Sequence, residues 1–210
     1  MYEDNIAEQV GLATVHFQGY LEDLQADFEQ RKEARQRRGM LVPCFVGHGG
    51  CGKDTTAKYF AEMTGATFSG STSKIVSPMI AWCAGIDEET CYARRGENRT
   101  YWYNWCRTFC GEDPARLSRL LLGKSDISAG VRSWIELATS FDERLVDVIV
   151  WINKVDTGVD ESMDFDAGDI LRKVPRPGHE WIDNNKDLSH LRSETERVAQ
   201  SLDMFEKKEL

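Results

Sequence analysis

Residues 42–56 read VPCFVGHGGCGKDTT, with glycines at 47, 49, 50 and 52 and a lysine at 53. Only residues without Cβ let successive backbone N–H groups converge on phosphate oxygens, and the spacing fits G-x-x-x-x-G-K from Gly47 through Gly52 to Lys53. An apolar run precedes the loop and a helical pattern over 54–63 follows it. A helix starting there adds its partial positive charge to the free amides, so strand, loop and helix together predict a site for a nucleoside triphosphate. The residues expected to hold it are Gly47, Gly49, Gly50, Cys51, Gly52, Lys53, Asp54 and Thr55, with Lys53 reaching the β- and γ-phosphates. In the general motif a Ser or Thr that ligates Mg2+ comes next; here Asp54 follows the lysine, with Thr55 and Thr56 after it. Asp54 and Thr55 are the candidate metal ligands. A glycine-rich turn that binds nothing is the plain structural alternative, and Asp54 adds some weight to it.

Transfer of a γ-phosphoryl group needs positive charge that follows the moving group. The segment that would face the loop carries Arg94, Arg95, Arg99, Arg107, Arg116, Arg119 and Arg132, in a chain whose formal net charge is -9. Lys53, Arg99 and Arg132 are the candidate catalytic residues, and Lys74, Arg95, Arg99, Arg107 and Arg132 the candidate acceptor ligands. Arg132 follows a predicted buried strand, while Arg99 and Arg107 bracket Tyr101, Trp102, Tyr103 and Trp105. Those rings can stack on a base, though packing a helix into the core is their more common use. For any single arginine a surface ion pair is an equal alternative.

The elements that position these residues follow from periodicity. Residues 1–39 carry apolar side chains at helical spacing, predicting one or two amphipathic helices that end near Gly39. Their basic run at 31–38 reads as a solvated helix end, and the segment is expected to pack on the domain or on a second subunit. Helices are predicted over 75–84, 87–94, 99–109, 114–122, 132–141 and 188–202, with Asp113 as N-cap before Pro114. Strands are predicted near 42–46, 66–69, 126–131, 145–152 and 180–183, and residues 153–180 as an irregular acidic loop or lid. Short apolar strands alternating with helices predict a parallel sheet covered on both faces, with ligands outside the carboxyl ends of its strands. The loop, Arg132 and Asn153 then share one rim.

At 210 residues the chain suits one sizeable core with an appendage, 1–40 before 41–210. The acidic balance and pI near 5.0 disfavour long nucleic acid and suit a small phosphorylated substrate. No run is long and apolar enough to span a membrane, and the acidic start MYEDNIAEQ lacks signal-peptide features, so a cytoplasmic location is expected. The cysteines form no C-x-x-C pair and read as reduced thiols; Cys106 and Cys110 read as half-buried small apolar residues. Asn153 to Asp156 reads N-K-V-D, the guanine-specifying pattern of GTPases, yet the D-x-x-G switch between it and the glycine loop is missing. A GTPase, a kinase of another small phosphorylated acceptor and a non-catalytic nucleotide-binding scaffold remain the alternatives.

Six stretches together carry a resemblance: GKDTTA at the loop, RTYWYNWCR at 99–107, DPARL at 113–117, DISAGVR at 126–132, VIVWI at 148–152 and IDNNKDLSHL at 182–191. The chain resembles the bacteriophage deoxynucleoside monophosphate kinase family over about 41–195, and the aspartate after the loop lysine is shared with that family and its phosphomevalonate kinase relatives. The resemblance implies a three-layer P-loop kinase fold behind an N-terminal helical extension. It also implies transfer of the γ-phosphate of ATP to a deoxynucleoside monophosphate, with Mg2+ near Asp54 or Thr55 and Arg99 and Arg132 near the acceptor. Small-molecule nucleotides would be its partners, the host cytoplasm its location if phage-encoded, and a homo-oligomer through the N-terminal helices is expected as possible. The family places a basic residue in its lid, whereas 153–180 is dominated here by Asp156, Asp160, Glu161, Asp164, Asp166 and Asp169, for which solvation is the default reading.

Overall fold

The computed structural model describes residues 5–155, 163–174 and 178–202. Its centre is a parallel sheet of β1 (Pro43–Val46), β2 (Ser128–Ala129), β3 (Val148–Asn153) and β4 (His179–Asp183), in the order β2, β1, β3, β4. Register pairs Cys44 with Ser128, Val46 with Trp151 and Ile152 with Ile182. Side chains of β1 and β3 alternate between two apolar layers, as the two-residue period of a strand requires. Phe45, Val148, Val150 and Ile152 join one cluster, and Cys44, Val46, Ile149 and Trp151 join the other.

The first face is covered by α3 (Lys53–Thr64) and α10 (Leu188–Ser201), through Ala57, Phe60, Leu191 and Val198. The second is covered by α8 (Trp134–Asp142) and α9 (Ala167–Lys173), through Leu137 and Ile170, with Phe165 and Val174 beside α9. A third cluster unites α1 (Ile6–His16), α2 (Gln18–Arg38), α4 (Ser73–Ala84), α6 (Arg99–Cys110) and α7 (Arg116–Leu122) around Leu24, Met79, Ile80, Trp105 and Leu121. Helix α5 (Glu88–Ala93) and a 3-10 turn, Arg94–Gly96, link α4 to α6. The architecture is therefore α/β, a parallel sheet flanked by helices on both faces.

Several elements differ from the sequence expectation, each for a local reason. Residues 66–69 form no strand; Thr67 instead donates its N–H and hydroxyl to Asp126, at 2.9 and 2.7 Å. That contact takes Asp126 out of the predicted strand 126–131, of which only Ser128–Ala129 pairs with β1. The helix expected from 114 starts at Arg116, after a turn closed by Arg116 N–H on the Asp113 carbonyl; the Asp113 carboxylate pairs with Arg119 and caps nothing. The 153–180 stretch holds α9, nucleated by a capping box in which Asp166 and Asp169 each accept from the other's backbone N–H.

The acidic stretch is also more than solvated surface. The Asp164 carboxylate accepts from Ser133 Oγ at 3.0 Å and from the Trp134 N–H, which delays α8 to Trp134. Asp156, Asp160 and Glu161 lie outside the described residues. The basic run at 31–38 likewise departs from a solvated helix end. Arg35 is only 6 % exposed; its guanidinium donates to the carbonyls of Leu122 and Ser125, at 3.1 and 3.0 Å, and to Asp126 at 3.4 Å. Arg31 reaches the same carboxylate at 3.3 Å from a more exposed position. Asp126 thus joins α2, the chain after α3 and the start of β2.

Removing one partner of a buried, hydrogen-bonded charge strands the rest. Arg35→Ala is expected to lower stability by about 3 kcal/mol and Arg31→Ala by under about 1 kcal/mol, read as the separation of their urea unfolding midpoints.

Candidate functional site

The glycine loop leaves the carboxyl end of β1 between neighbours whose onward connections run in opposite directions, β1 toward β2 and β3 toward β4. Such a reversal opens a crevice above the sheet. Packing, not only the need for free amides, demands glycine here. At Gly47, with φ 144°, a Cβ would sit 2.6 Å from the Ile152 carbonyl oxygen and 2.8 Å from Cys51 Sγ. At Gly52, with φ 98°, it would sit 2.6 Å from Asn184 Nδ2. That same amide, on a side chain only 7 % exposed, donates to the Cys51 carbonyl at 2.7 Å. The loop is wedged between the end of β3 and the turn before α10.

Helix α3 begins at Lys53, with Asp54 in its first turn, where a carboxylate suits the helix dipole. Lys53 Nζ folds back over the loop, donating to the carbonyls of Gly47 at 2.7 Å and His48 at 2.8 Å. The ammonium therefore stands over the concave side of the loop, half-buried, with its charge held by dipoles.

A cleft of about 800 Å3 opens from this point. Gly49, Gly50, Gly52, Lys53, Asp54 and Thr55 line it together with Arg95, Arg99, Arg107, Arg132 and Tyr103. Arg95 Nη2 lies 3.8 Å from the Asp54 carboxylate, and its guanidinium stacks 3.9 Å over the Tyr92 ring. Asp54 thus faces the cleft. Arg107 makes no ion pair with any described residue. Of the other sequence candidates, Gly47 and Cys51 sit behind the loop and do not line the cleft. Lys74 is also outside the lining, paired with Glu88 at 2.6 Å above Tyr92.

The remaining arginines of this region serve other partners. Arg94 pairs with Glu97, Arg119 with Asp113 and Glu143, and Arg116 donates to the Phe109 carbonyl while stacking on its ring. Trp102 and Trp105 share one helical face and are both buried, Trp105 stacking on Phe109, while Trp102 and Tyr103 also reach the cleft. Asn153 ends β3 exposed, and its carbonyl accepts from the Asn184 N–H at 2.8 Å. Asp156, the last position of the N-K-x-D pattern, lies outside the described residues.

Two features of the cleft escaped the sequence reading. Asn184 was visible only as part of a resemblance, since nothing in IDNN marks the residue that braces the loop. Glu136, on the first turn of α8, lines the inner cleft with Cys106, Cys110 and Leu117. Burial raises its carboxyl from the ordinary 4.5 to about 8, against hydrogen bonds from the Arg132 backbone and Ser118 and the charge of Arg132, with Asp164 pushing the same way as burial. Burial likewise holds the Cys110 thiol up at about 12 and raises Cys106, so both stay protonated. The sequence signal for Glu136 is an acid set between Ile135 and Leu137 in WIELATSF, which passes for the polar side of an amphipathic helix.

The donor set at Asp54 and Thr55 fits a magnesium ion that arrives with phosphates and keeps several waters, which needs only one or two protein oxygens. No all-protein cage exists among the described residues. No described helix is long and apolar enough to cross a membrane. Comparison with protein-family models, with curated proteins and with solved structures returns no match.

Asn184→Ala leaves the Cys51 carbonyl without its donor and is expected to cost about 1–3 kcal/mol of stability; a triphosphate titration should show weaker binding as well. The raised carboxyl of Glu136 means that the native state keeps a proton the unfolded chain has lost, so stability contributed by this group declines as pH rises from 4.5 to about 8. The melting temperature of Glu136→Gln, followed across that range, should fall less steeply than that of the wild type.

Proposed function

We propose that the protein transfers the γ-phosphoryl group of ATP to a nucleoside or deoxynucleoside monophosphate, giving the diphosphate. The observation that carries this reading is one cleft lined both by the glycine loop with Lys53 and by Arg95, Arg99, Arg107 and Arg132, with Arg95 beside Asp54. A donor site alone would serve hydrolysis or sensing. A second bank of cations in the same cavity suits a second anion, the phosphate of an acceptor. The P-loop kinase fold is part of the proposal, supported by the strand, glycine loop and helix on a parallel sheet.

On this reading the loop amides bind the β-phosphate and Lys53 leaves the Gly47 and His48 carbonyls to reach the β- and γ-phosphates. Asp54 and Thr55 would hold Mg2+, which would supply neutralising charge to the triphosphate. Arg99 and Arg132 orient the acceptor phosphate and stabilise charge on the transferring group, while Arg95 keeps Asp54 turned toward the cleft. Positioning and charge do the chemistry, and no covalent intermediate is needed.

A coupled ADP-release assay with ATP against a panel of dNMPs, NMPs and phosphomevalonate tests this. Lys53→Ala should lose roughly 10³-fold or more in kcat, and Arg132→Ala roughly 10²-fold or more, while Arg31→Ala, remote from the cleft, keeps wild-type turnover. Activity retained in Lys53→Ala would overturn the mechanism. Turnover with phosphomevalonate alone would shift the acceptor class, and ATP binding without turnover would favour a nucleotide-binding scaffold.

A further inference from the structure

The inner cleft holds a carboxyl group for which phosphate chemistry has no use. An acid there repels phosphate. Glu136 is set among Cys106, Cys110 and Leu117, a wall of sulfur and hydrocarbon, with Trp102 on the same cavity surface. Ser118, fully buried on α7, directs its hydroxyl to Glu136 Oε1 at 3.4 Å, the long end of a hydrogen bond. An apolar slot with one or two placed polar groups is how small-molecule sites obtain specificity. Its aromatic and sulfur lining suits a heteroaromatic ring.

We propose that Glu136, supported by Ser118, reads the hydrogen-bonding edge of the acceptor's nucleobase at the inner end of the cleft. This rests on the acceptor assignment above: with the monophosphate held by the arginines, the base is the part of the substrate left to fill the slot. The form of the carboxyl determines what it reads. The groups around it are Arg132, which favours the ionised form, and Asp164, which opposes it, with the Cys44, Cys106 and Cys110 thiols nearby and uncharged. The partial burial of Glu136 in the cleft outweighs these and favours the protonated form at neutral pH, a neutral acid with one O–H donor beside one carbonyl acceptor. That pair closes a two-bond ring with a base edge presenting an acceptor next to a donor. An ionised carboxylate only accepts, and would select two adjacent donors instead.

Glutamine keeps a donor beside an acceptor and cannot titrate, whereas leucine keeps the volume and offers neither. Equilibrium binding of dAMP, dGMP, dCMP and dTMP, with 2-deoxyribose 5-phosphate as a probe lacking the base, separates the cases. The wild type should prefer one or more bases. Glu136→Leu should reduce the affinity for those by roughly 10–100-fold, as expected when a buried polar pair is lost, and leave 2-deoxyribose 5-phosphate unchanged. Glu136→Gln should restore most of the preference, and above about pH 8 only the wild type should weaken as its carboxyl loses the donor. Base preferences in Glu136→Leu within twofold of wild type, or no base preference in the wild type, would overturn the proposal. Loss of preference rescued by glutamine, in a protein that transfers no phosphate, would defeat the kinase reading and leave base recognition standing. Transfer with preferences unmoved by leucine would do the reverse.

Discussion

The loop from 47 to 52 is pressed from two sides, by the Ile152 carbonyl behind Gly47 and by the Asn184 amide against Gly52, and the cleft depends on that compression. Held as it is, the loop turns back on itself through the Cys51 N–H on the His48 carbonyl and presents the Gly47 and His48 carbonyls to Lys53. The bracing residues belong to β3 and the turn after β4, which are distant in sequence and adjacent in the sheet. Parallel pairing of Val46 with Trp151 and of Ile152 with Ile182 therefore sets the geometry of the loop.

The helical side is organised by a second constraint. Asp126 collects Arg31, Arg35 and both donors of Thr67, which ties α2 to the strand that ends before Arg132. Its carboxyl is held below the ordinary value by those donors and the two guanidinium charges, despite burial that works the other way. A chain with formal net charge -9 thus spends its arginines in two distinct ways. Some hold carbonyls and carboxylates away from the cleft, as Arg35, Arg116 and Arg119 do, and others line it, Arg95 among them beside Asp54. The proposed transfer calls on the second kind.

The strand, glycine turn and helix were legible in the sequence because an apolar run, absent Cβ atoms and a helical pattern follow one another there. The strong strands and the helices at 99–109 and 188–202 were legible from apolar periodicity. Contacts that depend on distant partners were not. Arg35 lies in a run of basic residues, and only its position against Leu122 and Ser125 distinguishes it from its solvated neighbours. DISAGV looks like a six-residue strand until Thr67 claims its aspartate. Glu136 could be recognised only once α6 and α7 enclosed it, whereas α9 had a local signal in the spacing of Asp166 and Asp169 that the acidic, Pro- and Gly-containing surroundings obscured.

Loop, arginines and Glu136 line a single cavity, which the proposed transfer would fill with two phosphate-bearing substrates. The most direct measurement follows the label from [γ-32P]ATP, with Mg2+, in the presence of each nucleoside monophosphate. The account predicts that radioactivity appears in the nucleoside diphosphate, matched by an equal amount of ADP and little inorganic phosphate. Label released only as inorganic phosphate, at a rate indifferent to the monophosphate supplied, would contradict it.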